Sequence, residues 1–381
     1  MAMIKILMLT TNSSLMDGIN RHILTIAPAL NQRPEIEVGV CTVNPYGELN
    51  EALERGGVQT FSLDAHNGHD WHIAKRYYRI VKSFNPDIVH CHVMAMMERI
   101  ISSICFRNKK YIATVHGIRD KVRHRTIKTR IESILYKIFN LKLSAICYIS
   151  KGVYNALAND ARNTQISEII YNPLDFDSIC AGTHKLHHII GIQNNDQIIG
   201  TSCRIAKVKN PELFTDIMCK ILTRIGSAHA VIIGDGDSEL KKSCESIIEQ
   251  YNVRTRFHWL GYRSDAPELI KDLSCFVMTS ISEGLPTSLL ECMAARTPFA
   301  FLEGAGGLKD MAEFNETEGP FAIYGTHDNI DKFINDIINL LNNECKAKEY
   351  AEKAYQVGKR YFDIDVIVRE LASLYNRVVL K

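Results

Sequence analysis

Short β-branched apolar runs alternate along the chain with longer stretches whose apolar positions recur every three or four residues. Ile4–Thr10, Ile36–Thr42, Asp87–His92, Tyr111–Val115 and Ala145–Ile149 predict buried strands. Between them, Ile19–Leu30, Trp71–Phe84, Met94–Cys105 and Ile127–Phe139 carry helical spacing. Such alternation predicts a parallel sheet covered on both faces. The polar stretch Gly182–Asp196 reads as a linker, after which the pattern starts again. Gln197–Ser202, Ala230–Ile233, Arg256–Leu260, Cys275–Thr279 and Pro298–Leu302 predict a second sheet, and Phe362–Leu380 a long terminal helix. The expected class is therefore α/β, with two doubly wound parallel-sheet domains facing an interdomain cleft. The expected boundaries are 1–185 and 186–361, with helix 362–381 packing back towards the first domain. Ligands of such sheets sit at the carboxyl ends of the strands.

Composition narrows the picture. With 381 residues, 46% hydrophobic and 23% charged, the chain has the balance of a globular enzyme. No apolar run approaches the roughly 20 residues that span a bilayer. The opening Met-Ala-Met-Ile-Lys-Ile-Leu runs directly into Thr10-Thr11-Asn12, which is not the shape of a signal peptide. A cytoplasmic protein is expected. The 11 cysteines form no Cys-x-x-Cys pair, and Cys41, Cys147, Cys203 and Cys275 lie in apolar runs, as reduced structural cysteines do. His90-Cys91-His92 has metal-binding residue types, but it lies in a predicted strand with no matching cluster elsewhere.

The net charge of +2 hides an asymmetry. Residues 1–190 hold 23 Lys and Arg against 16 Asp and Glu, while the remainder holds 22 against 27. The excess is concentrated from Arg119 to Arg130. Either a solvated helix face or contact with an anionic partner, phosphate or a membrane surface, accounts for it. Nucleic acid is not expected, because aromatics are not interleaved with the run.

The sharpest chemistry lies in Ser282-Glu283-Gly284-Leu285-Pro286-Thr287-Ser288-Leu289-Leu290-Glu291. It follows a predicted strand and opens a helix. Pro286 suits a first helical turn, where Thr287 and Ser288 offer unpaired N–H groups that attract phosphate. On one helix the two glutamates would lie about 12 Å apart by rise alone, beyond the separation of a hydrolase pair. That spacing suits gripping two ends of one extended ligand.

This Glu-x7-Glu segment resembles the signature of glycosyltransferase family 4, retaining enzymes of the GT-B fold with two Rossmann-like domains. Arg204-Ile205-Ala206-Lys207-Val208-Lys209 resembles the family's Arg-x4-Lys diphosphate clamp, Gly234-Asp235-Gly236 its Gly-x-Gly turn, and Leu260-Gly261-Tyr262 the segment beside the nucleobase. Asp87–His92 and Thr114-Val115-His116-Gly117 are similar to the strands that approach the sugar. The resemblance spans nearly the whole chain and is strongest over residues 195–305. It implies an acceptor-binding first domain and a nucleotide-sugar-binding second domain. Glu283, His116, Arg204 and Lys209 are the implied catalytic residues. Gly18, Arg204, Lys209, Gly234, Leu260, Gly284, Leu285, Pro286, Thr287, Ser288, Leu289 and Glu291 are implied to hold the donor. Within that set Glu283 would hold sugar hydroxyls and Glu291 the ribose. The family often has two glycines where this chain has Asp17-Gly18-Ile19.

The implied reaction transfers a sugar, with retention, from a nucleotide donor to a lipid-linked or polysaccharide acceptor. Uridine diphosphate sugars are the commonest donors of the family. Enzymes of this type commonly build bacterial surface polysaccharides such as lipopolysaccharide, O-antigen or capsule. The donor's own phosphate oxygen would receive the acceptor's proton, and neither a cofactor nor a divalent metal is required. Asp235-Gly236-Asp237 has the form of the metal-binding pair of other transferases, but falls in the turn. The expected partners are the donor, the acceptor and an anionic membrane, with the protein cytoplasmic or peripheral on the inner face. The alternative is a sugar-nucleotide epimerase of the same architecture, which needs no acceptor. A dinucleotide-dependent oxidoreductase would need Gly-x-Gly-x-x-Gly after the first strand, which Thr10-Thr11-Asn12-Ser13-Ser14 does not supply.

Overall fold

The computed structural model describes residues 3–65, 72–93, 96–117, 143–157, 166–178 and 184–380. The expected helix Ile127–Phe139 and the basic run from Arg119 to Arg130 lie outside the described residues. The chain divides into two units, Met1–Pro173 with Ile364–Lys381, and Leu174–Asp363. The expected divisions were at 185/186 and 361/362.

The first unit holds β1 (Ile4–Thr10), β2 (Ile36–Thr42), β3 (Gln59–Ser62), β4 (Ile88–Cys91), β5 (Lys110–Val115), β6 (Leu143–Tyr148) and β7 (Ser167–Ile169). They form one parallel sheet in the order β3-β2-β1-β4-β5-β6-β7. Successive residues of β1 serve opposite faces. Ile4, Ile6 and Met8 pack with Ile23 and Ile26 of helix Gly18–Asn31 and with Ile367, Leu371 and Leu374 of helix Ile364–Leu380. Leu7 and Leu9 pack with Tyr77 and Val81 of helix His72–Phe84. Burial on both faces is why β1 and β2 read as nearly continuous apolar runs, broken only near their starts by Lys5 and Glu37, which pair with each other. The terminal helix is thus a core element of the first unit.

The second unit holds β8 (Gln197–Ser202), β9 (Ala228–Ile233), β10 (Phe257–Trp259), β11 (Cys275–Met278), β12 (Ser282–Glu283), β13 (Phe299–Leu302), β14 (Ala305–Gly306) and β15 (Ile323–Gly325). Six form a parallel sheet in the order β10-β9-β8-β11-β13-β15, and β12 pairs with β14 apart from it. The segment read as a linker contains helix Lys185–Ile190, with Leu186 and His187 buried. Asp272 tethers its start by accepting from the N–H groups of His184 and Leu186 at 3.0 and 2.8 Å. Its polar composition concealed it, because three of the residues from 184 to 188 are histidine.

Candidate active site

In the second unit, three strands deliver the predicted residues to the carboxyl edge of the sheet. The chain leaving β8 passes Arg204, which is exposed, and enters a 3-10 turn, Lys207–Lys209. That turn is pinned to the chain leaving β11. The Ile281 N–H donates to the Val208 carbonyl at 2.8 Å, and the Thr279 hydroxyl donates to the carbonyls of Lys209 and Asn210. The Lys209 ammonium consequently lies 2.5 Å from Oε1 of Glu283, with side-chain exposures of 23% and 11%. At such partial burial an ion pair is screened less than at the surface.

Glu283 is not on the helix that carries Glu291. It ends β12, while the helix runs from Thr287 to Ala295 with Pro286 as its N-cap. The 12 Å estimate of helical rise therefore does not describe the pair, because Gly284, Leu285 and Pro286 interrupt it. Its N-cap residue makes no side-chain capping bond, and no carboxylate lies in its first turn. Its positive end and leading N–H groups, with Thr287 exposed and Ser288 half-buried, suit an anion. Leu285 and Leu289 are buried at 5% and 0%, so their side chains serve the core.

Backbone here lies directly on backbone. A Cβ on Gly234 would stand 1.8 Å from the Cys203 carbonyl oxygen, and one on Gly236 would stand 2.3 Å from that of Ile205. The Gly-x-Gly turn is thus where the loop after β8 crosses the end of β9, through Ile205 N–H to the Asp235 carbonyl at 2.9 Å. Gly234 also bridges Gly261, which brings Leu260-Gly261 to the same edge. Sequence reasoning missed the partner of Glu283. Gly304-Ala305-Gly306-Gly307 runs beside β12, and a Cβ on Gly306 would lie 2.0 Å from the Glu283 carbonyl oxygen. Three glycines in four residues was the available signal. An open groove of about 1000 Å³ borders this pair, lined in part by Ile281, Glu303, Gly304, Leu308 and Tyr324.

In the first unit, Gly18 opens helix Gly18–Asn31, whose N-cap Asp17 accepts from the Ile19 N–H at 2.9 Å. Gly18 is not among the positive-φ glycines, and a Cβ there would meet nothing within 4 Å. Neither a tight turn nor packing requires glycine at this position. The loop before it is organised by Asn20, which is fully buried and donates to the carbonyls of Asn12 and Ser14.

His116 follows β5 and belongs to a cluster that the sequence did not announce. Nδ1 of His92, the residue after β4, lies 3.0 Å from Nε2 of His116. His22, from helix Gly18–Asn31, sets its ring 5.3 Å from that of His92 and 5.1 Å from that of His116. Burial holds all four imidazoles neutral: His22 is pushed down to about 4 and His90 to about 3, with His92 and His116 well below the usual range. Among the described residues, no group of His, Cys, Asp or Glu is placed to hold a metal ion.

These features define a doubly wound two-domain protein whose second unit gathers the predicted site residues at one strand edge. Residues 16–178 match the model of Glycosyltransferase Family 4, and residues 183–357 that of glycosyl transferases group 1. The chain belongs to these glycosyltransferases, and its fold is GT-B. It is 25% identical, over 71% of its length and 72% of theirs, to a UDP-Gal:alpha-D-GlcNAc-diphosphoundecaprenol alpha-1,3-galactosyltransferase of Escherichia coli. It is 24% identical to the lipopolysaccharide 1,6-galactosyltransferase of Salmonella typhimurium, over 72% of this chain and 71% of that one. Among solved structures, HepE of Anabaena in complex with UDP and glucose superposes with a TM-score of 0.79 at 18% identity, covering 98% of this chain and all of that one.

Proposed function

We propose that this protein transfers a hexose or N-acetylhexosamine, with retention, from a UDP-sugar to a lipid-linked or polysaccharide acceptor in surface-glycan synthesis. The observation that carries the reading is the Lys209–Glu283 pair beside the start of helix Thr287–Ala295. As the anomeric bond breaks, negative charge accumulates on the departing diphosphate. Arg204, Lys209 and the helix N–H groups are the donors that offset it. Glu283 takes sugar hydroxyls, Glu291 the ribose and the Leu260 segment the base, while Gly18 stays small beside the diphosphate. His116 meets the sugar. The acceptor hydroxyl attacks on the face the diphosphate leaves, and its proton passes to the phosphate oxygen. The nucleotide sugar is substrate, and the reading needs no cofactor.

The UDP assignment is supported by the UDP-Gal donor of the Escherichia coli relative and by the UDP bound in HepE. The same relative's acceptor supports a diphospholipid-linked sugar. The test is transfer from UDP-galactose, UDP-glucose or UDP-N-acetylglucosamine to GlcNAc-diphosphoundecaprenol, with the product's anomeric configuration read by NMR. An α-linked product supports the reading. Turnover of donor without acceptor would favour the epimerase, and an inverted product would remove retention. The basic run from Arg119 to Arg130 supports work at the inner face of an anionic membrane, for which binding to anionic vesicles at low salt is the check. No helix among the described residues is long and apolar enough to cross a membrane.

A further inference from the structure

The histidines around His116 are not interchangeable. His90 is fully buried and has both ring nitrogens engaged, Nδ1 with the Tyr375 hydroxyl and Nε2 with the Thr114 hydroxyl, each at 2.7 Å. Tyr375 comes from the terminal helix and Thr114 from β5, so His90 is clamped between two elements of the first unit. His92 stacks on it, with ring centroids 4.4 Å apart and planes 30° apart. His92 is itself 6% exposed, and its Nε2 is buried with no hydrogen-bond partner among the described residues. Its hydrogen bond to His116 is thus made by the other nitrogen, Nδ1.

A buried imidazole with one nitrogen unpaired is costly compared with an apolar side chain of similar size. Packing alone gives no reason for histidine at position 92. The bond to His116 does give one. Two neutral imidazoles joined through Nδ1 and Nε2 share one proton, so the tautomer of each ring fixes that of the other. The bond also occupies Nε2 of His116, whose Nδ1 has no hydrogen-bond partner among the described residues.

We propose that His92 is a positioning residue, which fixes the ring orientation and tautomer of His116 for its contact with the transferred sugar. The proposal rests on the sugar-contacting role given to His116 above. His90, held by Tyr375 and Thr114, is the platform that keeps His92 in register.

The test uses the full chain with His92→Leu, His92→Asn, His92→Gln, His116→Ala and the double variant His92→Leu/His116→Ala. Long-range 15N–1H NMR of labelled protein reads the His116 tautomer, and steady-state transfer from the three UDP-sugars reads its consequence. His92→Leu should change the His116 signature and lower kcat by about tenfold to hundredfold, with the donor KM within about threefold of wild type. Asparagine places its amide near the former Nδ1 and should restore both readouts, whereas glutamine, which reaches towards the former Nε2, should not. In the His116→Ala background, His92→Leu should cost nothing further. An unchanged His116 signature, an additive double variant, or equal behaviour of Asn and Gln overturns the proposal. Wild-type activity in His116→Ala refutes instead the role of His116, and the proposal falls with it. If His92→Leu does not fold by circular dichroism, the contrast between Asn and Gln decides.

Discussion

The buried histidines make the first unit sensitive to mild acid. The perturbation is a shift from pH 7.5 to pH 5.5, over which an unfolded-chain histidine, with pKa about 6.5, takes up most of a proton. In the folded chain His22 stays neutral until about 4 and His90 until about 3, and His92 is held well below its usual range. The sign follows directly. The unfolded state binds more protons in this window, so the stabilisation is fully present above about 6.5 and is lost as pH falls towards the folded values. Each such group costs about 1.3 kcal/mol over the two units, and the three together about 4 kcal/mol. His116, also held well below its usual range by burial, adds in the same direction. Asp265, held far below the usual carboxylate range by Arg263 and Lys185, titrates beneath this window and does not interfere. Against a typical total of about 5–15 kcal/mol, such a loss is large. Urea unfolding by circular dichroism measures it, and hydrogen exchange at β4 and β5 assigns it to the first unit. Replacing His22 with glutamine should flatten the pH dependence by about 1.3 kcal/mol. Equal stability of the first unit at the two pH values, or cluster histidines titrating near 6.5 by NMR, would refute the reasoning.

Four further outcomes are expected in the second unit. Glu291→Ala should weaken donor binding by calorimetry, while Glu283→Ala should mainly lower turnover, because ribose contacts are shared by ground and transition states; equal effects of both on turnover alone count against the assignment. Lys209→Ala or Arg204→Ala should cost about 10²-fold or more in rate with any donor, and near wild-type rates in both would remove the diphosphate clamp. Since Lys209 pairs with Glu283, the cost of Lys209→Ala should shrink in a Glu283→Ala background, where an additive double variant would deny the pair an energetic role. Gly234→Ala drives a Cβ to 1.8 Å from the Cys203 carbonyl oxygen and should destabilise the unit by about 2 kcal/mol or more, which an unchanged melting temperature would contradict.

What the sequence disclosed and what it withheld divide along physical lines. Strands buried on both faces were legible, three of them to the residue (Ile4–Thr10, Ile36–Thr42 and Gln197–Ser202) and others, such as Leu143–Tyr148 against the expected Ala145–Ile149, to within one or two residues at each end. The edge strands β3 and β7 and the short β15 were not, because half-exposed segments such as Gln59–Ser62 need less apolar content and carry no continuous run. The same contrast governs the site. Glu283, Glu291, Arg204 and Lys209 were visible because charged residues at a strand end and a helix start are local features of the chain. The ion pair between Lys209 and Glu283 was not, since it joins residues 74 positions apart through a loop register that hydrogen bonds at Thr279 and Ile281 set. His90 and His92 were visible as residues of one strand but their contacts were not, because alternate positions of one strand share a face and their partners come from elsewhere: Thr114 from β5, Tyr375 from the terminal helix and His116 from the loop after β5. A histidine's chemistry depends on which nitrogen is engaged and how dry its surroundings are, and both are properties of packing. Local motif reading thus picks out candidate ligand-facing groups, while the side chains packed against them emerge only when strands distant in sequence are brought side by side.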